Sequence, residues 1–101
     1  MTLRLPASFA ALLLACAGAA SGQDAAQVRL LASNCANCHG TDGRSQGGMP
    51  ALAGLAKPYI VEQMQDFKSG KRVATIMHQL AKGYTDAEVD ALAGYFSSMK
   101  P

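Results

Sequence analysis

Five consecutive residues, Cys35-Ala36-Asn37-Cys38-His39, constrain this chain more than any other stretch. Two thiols three positions apart at the end of a helix lie along one side of it, with the following imidazole held immediately beside them. C-x-x-C-H is the spacing at which each thiol can add to a haem vinyl group as a thioether while the histidine is brought under the iron. Two other chemistries use closely spaced cysteines. A zinc half-site needs a second Cys/His pair, and the only other histidine is His78. A redox disulfide of the thioredoxin kind needs a βαβ setting, and no stretch alternates with period two for long enough to be a strand. The pentad reads as a covalent haem attachment site.

Size makes the same demand. The chain has 101 residues and is 50% hydrophobic, but 15 of the 50 apolar residues fall in residues 1–22. That segment carries Arg4 near its start, an apolar run from Leu5 to Ala20 interrupted by Pro6, Ser8 and Gly18, and a small-residue close at Ala17-Gly18-Ala19-Ala20-Ser21-Gly22. It reads as a secretory signal peptide, and its interrupted run is short of the roughly 18 apolar residues of a spanning helix. Leu13-Leu14-Ala15-Cys16 leaves an alternative, a lipid anchor through Cys16, against which the bulk of Leu14 counts. Export to the periplasm leaves residues 23–101 as one domain, with Cys35 and Cys38 as its only cysteines. Eight Lys and Arg then face seven Asp and Glu, a balance that argues against a nucleic-acid surface. Seventy-nine residues make a marginal core that usually needs a disulfide, metal or cofactor.

The domain reads as all-α. Asp24 with Gln27 opens a helix carrying Val28, Leu31, Ala32 and Cys35 on one face, so the cysteines arrive at its C-terminal end. Residues 40–56 hold five glycines and form a loop. Pro58 starts a second helix with Ile60, Met64 and Phe67 on its stripe, and Gly70 stops it. Val73, Ile76, Met77 and Leu80 repeat the helical period up to Gly83. Thr85 with Glu88 is a capping box for a last helix whose buried face is Val89, Leu92, Ala93, Phe96 and Met99.

A haem iron with one histidine takes either an open opposite face, suited to gas or peroxide chemistry, or a second strong ligand, suited to electron transfer. Met49, Met64, Met77, Met99 and His78 are the candidates. Met49 is close to His39 in sequence, Met64 lies on a packing stripe and Met99 is near the C-terminus. Met77, well separated from His39 and between two helices, suits wrapping to the opposite haem face, although it also falls on a stripe with Val73 and Ile76. Adjacent helical side chains point about 100° apart, so Met77 and His78 cannot both face one iron.

Taken together, Cys35-Ala36-Asn37-Cys38-His39-Gly40, Pro50-Ala51-Leu52-Ala53-Gly54, the Tyr59 to Phe67 helix and Asp90-Ala91-Leu92-Ala93-Gly94-Tyr95-Phe96 resemble a class I c-type cytochrome. The stretch from Phe67 to Met77, continuing through Ala81-Lys82-Gly83-Tyr84-Thr85, is similar to the monohaem cytochrome subunit of flavocytochrome c sulfide dehydrogenase. The resemblance implies N- and C-terminal helices packed together around one covalent haem c, with Cys35 and Cys38 carrying it and His39 and Met77 as axial ligands. It implies a hydrogen bond from His39 to the Pro50 carbonyl, a contact that fixes imidazole orientation. It also implies a flavoprotein partner, bearing FAD, that oxidises sulfide and passes electrons on. His78 departs from the small residue expected after the axial methionine.

The resulting expectation is a periplasmic electron carrier with no catalytic site of its own and no stable membrane span, possible as one subunit of a sulfide:cytochrome c oxidoreductase. Val28, Leu31, Ile60, Phe67, Ile76, Leu80, Leu92 and Phe96 are its expected haem wall. Tyr59, Tyr84 and Tyr95 either reach a haem propionate or pack, with packing favoured, and Lys57, Lys68, Lys71, Arg72 and Lys82 either ring the exposed haem edge or form a solvated face. Rival readings are a free-standing soluble cytochrome of the c5 or c553 kind that feeds an oxidase or reductase, and a haem sensor or peroxidase-like domain.

Overall fold

The computed structural model describes residues 24–101; the leader expected over residues 1–22, with Cys16, lies outside them. Asp24 caps the first helix, α1 (Ala25–His39), its carboxylate accepting from the Gln27 amide at 2.8 Å. The whole Cys35–His39 pentad is helical, because Gly40, at φ 84°, ends the helix only after the histidine. A single turn of 3-10 helix at Thr41–Gly43 follows, and the rest of the glycine-rich stretch to Ala56 is irregular, as its composition requires.

The second helix, α2 (Lys57–Ser69), has Pro58 in its first turn and a left-handed Gly70 at its end. A short α3 (Met77–Leu80) runs into a 3-10 turn at Ala81–Gly83. The last helix, α4 (Asp86–Ser97), opens on a complete capping box: Thr85 Oγ1 accepts from the Glu88 amide, and Glu88 Oε1 accepts from the Thr85 amide. The described residues contain no strand.

Helix α4 is the centre of the arrangement, packing against both α1 and α2. Ala32, Ile60, Leu92, Ala93 and Phe96 form the core, with Phe96 only 2% exposed. Small residues at Ala32 and Ala93 let the backbones of α1 and α4 approach closely. The α2–α4 side is tied by Lys57 to Asp90 at 3.1 Å and by Gln65 to Asp86 at 3.1 Å.

The loop after α1 is stapled to α4. Gly43 offers its carbonyl to the amides of Leu52 and Ala53, the Gly54 amide donates to Phe96 O at 2.9 Å, and the Tyr95 hydroxyl donates to Asp42 at 2.9 Å. Gly43 sits at φ 77°, and a Cβ there would come within 2.8 Å of the Phe96 ring.

Two expectations from the periodicity are corrected. The stripe Val73, Ile76, Met77, Leu80 does not build a helix over its length: α3 is a single turn, residues 71–76 are irregular, and Val73 is 94% exposed. Three β-branched residues, Val73, Thr75 and Ile76, weaken helix formation there, and no side chain caps the first turn of α3. Helix α4 stops at Ser97, leaving Met99 beyond the buried face.

Candidate functional site

Between α1, the loop to Pro50, α2 and the segment carrying α3 lies a cavity of about 920 Å3. Its walls are mainly apolar, with Leu31, Ile60, Phe67, Leu92 and Phe96 among them. Ile76 and Leu80, 49% and 46% exposed, belong to these walls and not to the core. Apolar side chains that a period-3.6 stripe would assign to packing thus line a ligand-sized space. Val28 is the exception among the expected wall residues: it is buried, but it does not line the cavity.

The chemistry-bearing residues converge on this space. Cys35, Cys38, His39, Pro50 and Met77 all line it. Both cysteines are free thiols, Cys35 half-buried and Cys38 exposed, and burial pushes the Cys35 thiol up from its ordinary range. His39 is buried, and its Nδ1 lies 2.6 Å from the Pro50 carbonyl oxygen. A carbonyl only accepts, so Nδ1 carries the proton and donates it. Nε2 is thereby left with its lone pair, the state a metal ligand requires.

The structure narrows the remaining candidates without reducing them to one. Met49 and Met64 also line the cavity, whereas Met99 and His78 do not. His78 is partly exposed, and its Nδ1 is buried without a hydrogen-bond partner among the described residues. Met77 opens α3 and lines the cavity.

The polar residues divide differently from the sequence expectation. Tyr95 packs edge-on to Phe96, ring centroids 5.1 Å apart, away from the cavity. Tyr59 and Tyr84 line the cavity, and burial pushes the Tyr84 hydroxyl above its ordinary value, assisted by Cys35. Of the five cations considered as a ring, Lys57 and Lys68 are engaged with α4 carboxylates, at 3.1 and 3.4 Å. Only Arg72 reaches the cavity lining. Gln63 and Asn34, which no periodicity singled out, line it as well, being polar residues on helix faces that turn towards the cavity.

These residues fit a covalently held haem. Two thiols on one helix side, a histidine with a free Nε2, a soft thioether in the facing segment and apolar walls are the donor set and the environment such a group uses. No helix among the described residues is long and apolar enough to cross a membrane.

Comparison with known proteins agrees. The cytochrome c family profile matches residues 23–100. The chain is 43% identical over 70 residues to the cytochrome subunit of sulfide dehydrogenase from Chlorobaculum tepidum, covering 69% of this chain and 64% of that protein. It is 40% identical over 72 residues to a thiosulfate dehydrogenase electron acceptor from Thiomonas intermedia, covering 69% of this chain and 33% of that one. Among solved structures, a cytochrome c4 from Acidithiobacillus ferrooxidans superposes with a TM-score of 0.62 at 45% identity, covering 64% of this chain and 38% of that chain. The chain thus spans less than two-thirds of the length of the relatives it matches first. A helical fold without strands among the described residues, a cavity lined by the Cys-x-x-Cys-His residues and a family match over nearly all of residues 24–101 lead to one conclusion: the chain belongs to the cytochrome c family, with a class I fold and covalently bound haem c.

Proposed function

We propose that this protein is a periplasmic one-electron carrier that accepts electrons from a flavoprotein partner of the sulfide dehydrogenase kind. The observation that carries the site reading is the convergence of Cys35, Cys38, His39 and Met77 on one apolar cavity. Cys35 and Cys38 would hold the haem through thioethers, and His39 and Met77 would ligate its iron. When bound, the haem supplies a one-electron couple. The remaining work belongs to the chain. His39 presents Nε2 because Pro50 takes the Nδ1 proton in a hydrogen bond, which also fixes the ring plane. A Met77 thioether ligand would favour the reduced state and leave no coordination position for substrate. The apolar walls exclude water, so little solvent rearranges when the charge changes. Residues 1–22 act as the export signal and residues 23–101 as the working domain.

The partner assignment is supported by the identity to the Chlorobaculum subunit. The Thiomonas electron acceptor, nearly as similar, favours a second reading, in which the carrier diffuses freely between redox proteins. Isolation of the native complex separates the two: a flavin-bearing chain that co-purifies supports the subunit reading, and a monomer that ignores added flavoprotein at micromolar concentration supports the free carrier. The axial assignment has its own test. The ferrous protein is expected not to bind carbon monoxide, and Met77→Ala is expected to bind it readily, with altered ferric spectra and a lower reduction potential. Unchanged ferric spectra in Met77→Ala would move the ligand to Met49 or Met64.

A further inference from the structure

Met77 sits in a stretch that little in its own sequence holds in place. Residues 71–76 are irregular, α3 is one turn without a side-chain cap, and none of its four residues is fully buried. The hydrogen bonds of the stretch are local: the Gln79 and Leu80 amides donate to Ile76 O at 2.9 and 3.1 Å. Among the described residues no hydrogen bond joins residues 73–83 to another helix; the polar ties to α2 lie at the two ends. At the entry the Arg72 amide donates to Asp66 O at 3.1 Å. At the exit Lys68, in the last turn of α2, donates through Nζ to Tyr84 O at 2.5 Å, just after the 3-10 turn that continues α3. No backbone amide among the described residues donates to that carbonyl. The Lys68 side chain is only 20% exposed, so water competes weakly for the contact, and an ammonium donor makes it a strong one. Its second partner, Asp86 at 3.4 Å, is 83% exposed, and an ion pair so open to solvent contributes little.

We propose that Lys68 is a positioning residue for Met77: by gripping the Tyr84 carbonyl it fixes the exit of residues 73–83 on α2 and keeps the Met77 thioether seated in the cavity. The assignment rests on the haem and Met77 reading above and says what maintains it. An uncharged thioether offers only a lone pair, so the time it spends on a metal depends on how the backbone presents it. A stretch tied at both ends to one helix has fewer open conformations than a stretch tied at one, and loses less entropy when its side chain is held. Releasing Tyr84 leaves the entry tie at Asp66 as a hinge, about which residues 73–83 open locally while the packing of α4 on α1 and α2 persists.

Two readouts on the holoprotein test this, carbon monoxide binding to the ferrous form and hydrogen exchange at the Gln79 and Leu80 amides. Carbon monoxide is uncharged, so its access reports opening of the stretch and not the loss of a nearby positive charge. Lys68→Met keeps the apolar stem without the donor; it is expected to bind carbon monoxide about tenfold more tightly than wild type and to exchange those two amides faster by a similar factor. Lys68→Arg, which retains a charged donor, and Asp86→Asn, which removes the carboxylate but leaves the Tyr84 contact, are expected to stay near wild type. Lys68→Gln, a shorter and uncharged donor, is expected to fall between, and it carries the test if Lys68→Met loads haem poorly. A Lys68→Met protein that excludes carbon monoxide and exchanges like wild type overturns the assignment, even where its unfolding midpoint drops, because Lys68 is then a stabilising contact only. Opening of the same size in Asp86→Asn also overturns it, by placing the effect in the ion pair. A Met77→Ala protein that binds carbon monoxide no better than wild type would overturn the Met77 reading itself, an outcome distinguishable from a Met77-ligated protein indifferent to Lys68.

Discussion

The hydrogen bond from His39 to Pro50 shows how much one contact can decide. It sets the tautomer, the ring plane and the direction of the free lone pair at once, and it depends on a loop ten residues long being held in place. Part of that hold comes from Tyr95 on α4, whose hydroxyl donates to Asp42, a residue kept in the left-handed region at φ 53°. Tyr95→Phe is expected to lower stability by about 1 kcal/mol at neutral pH, measured by denaturant unfolding of the holoprotein. The effect has a pH signature. Burial, then the neighbouring Asp42 carboxylate, pushes the Tyr95 hydroxyl above its ordinary value. A group raised in the folded state stabilises below its unfolded pKa, about 10 for tyrosine, and that contribution is lost as pH rises through the folded value. The gap between wild type and Tyr95→Phe should therefore be constant through neutrality and close above about pH 10; a gap that persists in strong alkali would assign the loss to packing.

Elements form where local sequence and tertiary burial agree, and the four helices sort on that basis. Helices α1, α2 and α4 were legible because each combines a stop or start residue with an apolar face: Asp24 and Gly40, Pro58 and Gly70, Thr85 with Glu88. The segment before α3 has the same apolar period but no cap, and its side chains face a ligand space instead of a helix. Periodicity alone cannot tell these apart, since both bury apolar atoms in the finished protein. The same blind spot affects the site. Cys35, Cys38 and His39 stand together in one local motif, while three methionines share one cavity, and it is spacing and the family likeness, not the geometry of the cavity, that favour Met77. Arg72 and Gln63, nine residues apart, meet only because the chain reverses after Gly70. The value of local agreement can be measured at Thr85. Thr85→Ala removes one half of the capping box and is expected to cost about 1 kcal/mol in holoprotein unfolding, with the reduction potential unchanged. A change in potential would mean that the start of α4 also positions the cavity wall.

At the scale of the whole molecule, the same side chains serve two purposes. Ile60, Leu92 and Phe96 join the helices to one another, and all three also line the cavity. Among the described residues, four of the nine buried hydrophobic ones are alanines, Ala32, Ala53, Ala81 and Ala93, which bring elements close but bury little apolar area. A chain of this length gains only a marginal surplus from its own core. Contact between these walls and the haem must then supply much of the cooperativity, and covalent attachment keeps that contact from being lost by dissociation. The double variant Cys35→Ala/Cys38→Ala, produced without covalent haem, is expected to show reduced far-ultraviolet helicity and no cooperative thermal transition, whereas the holoprotein unfolds in a single sharp step. Added free haem should restore part of the helicity in that variant, because His39 and the apolar walls remain. It should not restore the holoprotein's resistance to dilution, because the bound fraction then depends on haem concentration. A haem-free variant that unfolds cooperatively from native-like helicity would show instead that α1, α2 and α4 suffice as a core, and the haem would count as cargo and not as part of the fold.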